Sequence, residues 1–176
     1  AYRSSIAEHE SVTPCVIDKT PLNFLYLGLI CLALPDARIV HVRRQPLDSC
    51  YAMYKTLFRM GYPFSYDLGD LGSYYLAYQA LMAHWHTAFP GRILDVDYET
   101  LVCDTENESR RLLEHCGLAW EQACLQFHLN ATPAATASAV QVRQPIYRSS
   151  VDSWRRYAVE LAPLEAQLRA GGATFA

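Results

Sequence analysis

Lysine is scarce in this chain: Lys19 and Lys55 are the only two, and arginine supplies the rest of the 15 basic residues, against 18 acidic ones. The formal net charge of -3 and pI near 6.1 exclude the broad basic surface that a phosphate backbone demands, so nucleic-acid binding is not expected. Long apolar runs are missing too. Nowhere do about eighteen apolar residues follow one another, and without such a run a membrane-spanning helix is not expected. The opening AYRSSIAEHESV lacks the basic, apolar and small-residue segments of a secretory signal. CxxC spacings are absent: Cys15, Cys31, Cys50, Cys103, Cys116 and Cys124 are scattered, which excludes a zinc ribbon or a disulfide framework and reads as reduced thiols, several of them small core hydrophobes, in a cytoplasmic protein. No internal repeat of 20 to 50 residues occurs, so the chain is not itself a repeat array.

What is present is a chain of 176 residues, 51% hydrophobic and 19% charged, enough for one sizeable core. The apolar patterning predicts strands at Cys15 to Ile17, Arg38 to Val42 and Arg92 to Tyr98, where β-branched residues cluster between turn residues. Between them it predicts a buried helix over Leu22 to Leu34, a helix opened by Pro46 and running to Met60, and a longer one from Asp70 to Phe89 stopped by Pro90-Gly91. Helices over Glu106 to His115 and Trp120 to His128, a loop from Ala131 to Ile146 and a last helix capped at Ser149 or Ser150 and reaching Arg169 complete the reading. Strands alternating with helices imply parallel βαβ units.

Two motifs sit at strand ends: Asp18-Lys19-Thr20-Pro21 after the first and Arg43-Arg44-Gln45-Pro46-Leu47-Asp48 after the second. Parallel sheets bind ligands beyond the carboxyl ends of their strands, so both motifs are expected to aim a cation at one crevice. The helix opened by Pro46 is expected to add its first amides to that anion site. The bland counterpart is that Lys19 and Arg44 merely leave the core at strand ends.

The runs DKTPLNFLYLGLICLALPDARIVHVRRQPLDSC, ILDVDYETLV and SAVQVRQPIYRSSVDSWRRY resemble the sulfotransferase domain of tetratricopeptide-linked bacterial proteins, which are similar to tyrosylprotein sulfotransferases. The resemblance extends from Val16 to Leu168, with three separated motifs in family order. It implies an α/β fold with a three-layer parallel sheet of the P-loop nucleotide-kinase-like type. Here that fold is incomplete at the N-terminus: residues 1–176 are read as the C-terminal part of one sulfotransferase domain, without the loop that cradles the 5′-phosphosulfate. It also implies transfer of a sulfuryl group from 3′-phosphoadenosine-5′-phosphosulfate (PAPS, leaving the product PAP), without a metal, to a hydroxyl or amine on a small-molecule or peptide acceptor. Tetratricopeptide repeats upstream in the same chain are implied as well.

Residue by residue, the resemblance implies that Lys19 is the catalytic cation at the bridging oxygen of the cofactor and that Arg44 holds its 3′-phosphate. Tyr98 is implied to lie near the adenosine and Ser138 on a loop that closes over the cofactor. Where the family has a serine eight residues after the phosphate arginine this chain has Ala52, and Ser49, one turn earlier, is the substitute. Ser153 stands where the family has a basic residue before Trp154, leaving Arg148 or Arg155 to replace it. No base is named, because the position two after the lysine is Pro21.

Other candidates read as structural. His84 and His86 are two apart on a helix and face different ways, so they form no metal pair; His41 reads as a hydrogen-bonded core residue; and Asp95, Asp97 and Glu99 read as solvent-facing. The aromatic run Tyr62, Phe64, Tyr66, Tyr74, Tyr75 and Tyr78 reads as core packing before acceptor pocket. Two alternatives stay open for the whole: a non-catalytic remnant serving as an interaction domain, and a relative of the nucleoside-phosphate kinases.

Overall fold

The computed structural model describes residues 15–59, 61–130 and 143–175. The chain divides into two units, Ala1–Pro35 and Asp36–Ala176. In the first, a 3-10 turn over Asn23–Tyr26 runs into helix α1, Leu27–Ala33. The run Cys15 to Ile17 is irregular rather than a strand, and Ile17 is 91% exposed. A β-prone run becomes a strand only where a neighbour accepts its hydrogen bonds. Nor is the following helix buried all round. Leu27 and Cys31, one turn apart, are buried, whereas Leu25, Leu29 and Leu32 are exposed.

The second unit is a mixed α/β structure. Strand β1, Ile39–Arg43, pairs in parallel with β2, Ile93–Asp97, in the register Ile39 to Ile93, His41 to Asp95 and Arg43 to Asp97. Between them lie helix α2, Pro46–Tyr54, a 3-10 turn over Pro63–Tyr66, and helix α3, Leu68–Ala88. Local signals set most of these ends. Gln45 caps α2 by accepting from the Asp48 amide at 2.8 Å, Pro46 occupies the first turn, and Asp67 caps α3 through the Asp70 amide at 2.9 Å. Each satisfies a donor that the helix itself cannot pair.

After β2 the chain forms α4, Tyr98–Cys103, and α5, Thr105–Cys116. Tyr98 therefore opens a helix rather than ending a strand. The expected helix at Trp120 to His128 is 3-10 structure over Gln122–Leu129, broken by the non-helical backbone of Gln126. The expected last helix is two pieces, a 3-10 segment at Ser153–Tyr157 and α6 at Ala162–Ala170. Pro163 explains the break, since its ring and missing N–H confine it to a first helical turn.

The buried core of this unit lies between helices: Leu47 and Cys50 of α2, Leu71 and Tyr75 of α3, Trp154, Leu161, and Leu164 and Leu168 of α6. The aromatic run packs on itself and against that core. Phe64 stacks on Tyr74 with ring centres 3.7 Å apart, and Tyr75 meets Tyr78 edge to face. The core reading of the thiols holds for Cys31 and Cys50, which are buried, but not for Cys15 and Cys103, which are exposed. Burial pushes the Cys50 thiol up to about 12, so it stays protonated and unreactive.

Gly117 ends α5 in the left-handed region, φ 70°, while the Leu118 amide reaches back to the Leu113 carbonyl at 2.9 Å. A Cβ there meets nothing within 4 Å, so backbone strain alone governs a substitution. Gly117→Ala is expected to cost about 1 kcal/mol, read as a lower urea midpoint at unchanged m-value; an unchanged midpoint contradicts the capping role.

Candidate functional site

The turn from β1 into α2 is the best-organised polar feature at a strand end. Successive residues of an extended chain face opposite ways, and Arg43 and Arg44 diverge accordingly. Arg43 turns back over the sheet, donating from Nε to Asp97 Oδ1 at 2.5 Å and from Nη1 to Asp95 Oδ2 at 3.3 Å. The Asp97 hydrogen bond holds its guanidinium even more firmly protonated than usual, against a smaller opposing effect of burial.

Arg44 takes the other side. Its Nη2 donates to the Ser150 carbonyl at 2.6 Å and lies 4.0 Å from Asp48 Oδ2, and its guanidinium carbon is 4.8 Å from the centre of the Tyr98 ring. Its Nε is buried and meets no acceptor among the described residues. A buried guanidinium donor left unpaired is costly.

The turn itself is pinned from β2's side. Glu99, on α4, accepts the Gln45 amide at 3.0 Å, so it is a brace and not a solvent-facing carboxylate. This corrects the expected anion site in one respect. Pro46 has no N–H, the Gln45 amide is taken by Glu99 and the Asp48 amide by the Gln45 side chain, so most of the donors expected from the start of α2 are already used.

Asp48 is the second feature that sequence reasoning left without a role. It is fully buried, and its carboxylate accepts from the Asp152 amide at 2.6 Å, the Ser153 hydroxyl at 2.9 Å and the Trp154 amide at 3.0 Å. It therefore caps the 3-10 segment that Ser149 or Ser150 was expected to cap. Ser153 is explained at the same time: it donates to this carboxylate. Arg148 reaches the Val102 and Cys103 carbonyls at the end of α4, at 3.3 and 3.0 Å, while Arg155 pairs with Asp152 at 3.0 Å. Both replacements for the missing basic residue are thus already engaged elsewhere. No local signal points to the cap, because its donors lie 104 to 106 residues away.

Of the expected site residues, Arg44 and Tyr98 are brought into contact. Ser49 is half-buried in the first turns of α2, its amide bonded to the Gln45 carbonyl at 2.9 Å. Lys19 is exposed in an irregular segment of the first unit, and Ser138 lies outside the described residues.

A second polar cluster occupies the sheet face. His41 Nδ1 lies 2.7 Å and His86 Nε2 3.1 Å from Asp95 Oδ1, and His41 Nε2 is 2.5 Å from the Tyr78 hydroxyl. Asp95 is half-buried; burial raises its carboxyl pKa, but the His41 hydrogen bond and the neighbouring His41, His86 and Arg43 outweigh this and hold it below the ordinary value. His41 is thus the hydrogen-bonded residue expected of it, whereas Asp95 and Asp97 are paired and not merely solvated.

Comparison with known proteins bears on the turn. An uncharacterized protein of Aquifex aeolicus (strain VF5) is 41% identical over 175 residues, 97% of this chain and 23% of that protein. The omega-hydroxy-beta-dihydromenaquinone-9 sulfotransferase Stf3 of Mycobacterium bovis is 29% identical over 111 residues, 58% of this chain and 29% of that protein, and its counterpart in Mycobacterium tuberculosis matches to the same extent. The chain thus spans less than a third of the length of these relatives. The sequence profile of the sulfotransferase family matches residues 1–122, a stretch that includes Lys19, the β1–α2 turn with Arg44, and Tyr98. By that match the chain belongs to the sulfotransferase family.

Proposed function

We propose that this chain is part of a PAPS-dependent sulfotransferase and that the β1–α2 turn is where it grips the 3′-phosphate of the cofactor. The observation that carries the reading is the buried, unpaired Nε of Arg44 beside the Tyr98 ring. A planar guanidinium offers the paired donors that a phosphate accepts, and an aromatic ring at the same place suits a purine. The residues present therefore fit the group. When bound, PAPS supplies the sulfuryl group. Arg44 would hold its 3′-phosphate, with Ser49 adding a hydroxyl; Tyr98 would pack beside the adenosine; Ser138 would belong to the closing loop; and Lys19 would bring its cation to the bridging oxygen.

The wider reading follows the same family logic. Residues 1–176 belong to one sulfotransferase domain with a three-layer parallel sheet, in a cytoplasmic bacterial protein of the tetratricopeptide-linked, tyrosylprotein-sulfotransferase-like type. The acceptor is a hydroxyl or an amine, on a small molecule or a peptide; the name of the mycobacterial relatives, which specifies an omega-hydroxy compound, favours a hydroxyl. Among the described residues no helix is long and apolar enough to cross a membrane.

One observation favours an interaction-only remnant instead: Arg44 is already held by the Ser150 carbonyl and faces Asp48. One experiment separates the two. In the full-length protein, Arg44→Ala is expected to weaken PAP binding by roughly 1.5–3 kcal/mol, the range for hydrogen bonds to charged groups. Adenosine 5′-phosphosulfate, which lacks the 3′-phosphate, is expected to lose little. Equal losses for both ligands in calorimetry would make Arg44 a structural residue, and no PAP binding by the unaltered protein would favour the remnant.

A further inference from the structure

We propose that His41, His86 and Asp95 form a divalent-metal site, best suited to Zn²⁺, on the face of the sheet where helix α3 crosses it. The proposal is independent of the sulfotransfer reading. Three elements supply the ligands: β1, α3 and β2. The candidate ligand atoms all lie within 4.8 Å of one another. Two histidines and one carboxylate are a donor set that Zn²⁺ takes readily, with a fourth position left for water.

What distinguishes this cluster from an ordinary buried ion pair is convergence. Both imidazoles aim a nitrogen at the same carboxylate oxygen, Asp95 Oδ1, at 2.7 and 3.1 Å. The other oxygen, Oδ2, is turned to Arg43. Ligands bound at about 2.0–2.1 Å around a tetrahedral ion stand roughly 3.3 Å apart, so the His41 contact to Oδ1 opens by roughly 0.6 Å and the His86 contact by roughly 0.2 Å to admit one.

Two of the three ligands, His41 and Asp95, are also supported from behind, as metal ligands are. The far nitrogen of His41 is 2.5 Å from the Tyr78 hydroxyl, which fixes the ring and directs Nδ1 at the site. Asp95 is steadied through Arg43 and through its own carbonyl, which accepts from Arg111 Nη2 at 2.8 Å. The Arg43 charge is spent chiefly on Asp97, at 2.5 and 3.2 Å, and leaves Oδ1 open to a cation. Side chains 14%, 38% and 26% exposed at His41, His86 and Asp95 leave an ion room to enter.

Sequence spacing hides the site. His86 has its histidine neighbour on α3 at His84, two residues away and therefore not on the same face, while its real partner is on β1, 45 residues earlier.

The test is a Zn²⁺ titration of the untagged full chain against a chromophoric chelator, with accessible thiols alkylated because Cys15 and Cys103 are exposed. One Zn²⁺ per chain is expected at micromolar affinity or tighter. His86→Ala, at a half-exposed position, should weaken it at least tenfold, as should Asp95→Asn, while His84→Ala should leave it unchanged. Co²⁺ in the same protein should give tetrahedral visible bands without thiolate charge-transfer absorption. Failure of the unaltered chain to bind one equivalent, equal affinity in His86→Ala, or a thiolate signature would each overturn the assignment.

Discussion

Lys19→Met in the full-length protein is expected to lower kcat by on the order of a hundredfold or more, the scale of losing one transition-state donor. PAP affinity should change much less. The contrast with Arg44 follows from when each charge is needed. Arg44 would face a phosphate that is charged before, during and after reaction, so its loss acts through binding. Lys19 would face an oxygen whose negative charge grows only as its bond to the sulfuryl group breaks, so its ammonium counts mainly in the transition state. Methionine keeps much of the side chain's reach and removes the cation. Lys19 is exposed, so the substitution is not expected to disturb folding, which circular dichroism and a retained PAP affinity check. Near-normal kcat in such a protein would remove Lys19 from the chemistry.

The largest effect on stability is expected at Asp48. Its carboxylate has no exposure and holds two amides and a hydroxyl at the start of the Ser153–Tyr157 segment. Asp48→Ala leaves all three donors without this acceptor and removes the carboxylate facing Arg44 at 4.0 Å. Breaking a buried charged network of this kind costs about 3–5 kcal/mol. Asp48→Asn keeps the volume and one acceptor oxygen but turns an NH₂ group toward a donor, and should cost about half as much. Denaturant midpoints at constant m-value read both; a loss below about 1 kcal/mol for the alanine variant would show that the segment is held by Trp154 packing alone. The same segment carries the Ser150 carbonyl that fixes Arg44, so Asp48→Ala should also weaken PAP binding where it still folds.

Sequence reasoning located the β1–α2 turn and its arginine because strand, turn and helix are each written locally: β-branched residues at Ile39, Val40 and Val42, then Gln45-Pro46 opening the helix. It assigned no role to the residues that shape the turn. Glu99, expected to be solvent-facing, was invisible as a brace because its partner, Gln45, lies 54 residues away. Asp48 sat inside the quoted motif, yet nothing near it in sequence identifies a cap for a segment more than a hundred residues later. The run at Cys15 to Ile17 misled for the complementary reason, since its composition has the local propensity of a strand but its backbone is irregular.

By itself, then, the sequence carried the local signals at several helix ends: Pro46, Asp67, Pro90-Gly91 and Gly117 act within a single turn, through fixed torsions and capped amides. It also carried the sulfotransferase family, though not the narrower type within it, through motifs whose order and spacing survive without coordinates. Only the tertiary structure decided the fates of the polar side chains: Arg43 to Asp97, Arg44 to Ser150, Asp48 to the Ser153–Tyr157 segment, and His41 and His86 to one oxygen of Asp95. A torsional preference belongs to a residue and its immediate neighbours, whereas a buried hydrogen bond or ion pair belongs to whichever groups packing brings within about 3 Å, and that pairing has no length scale along the chain.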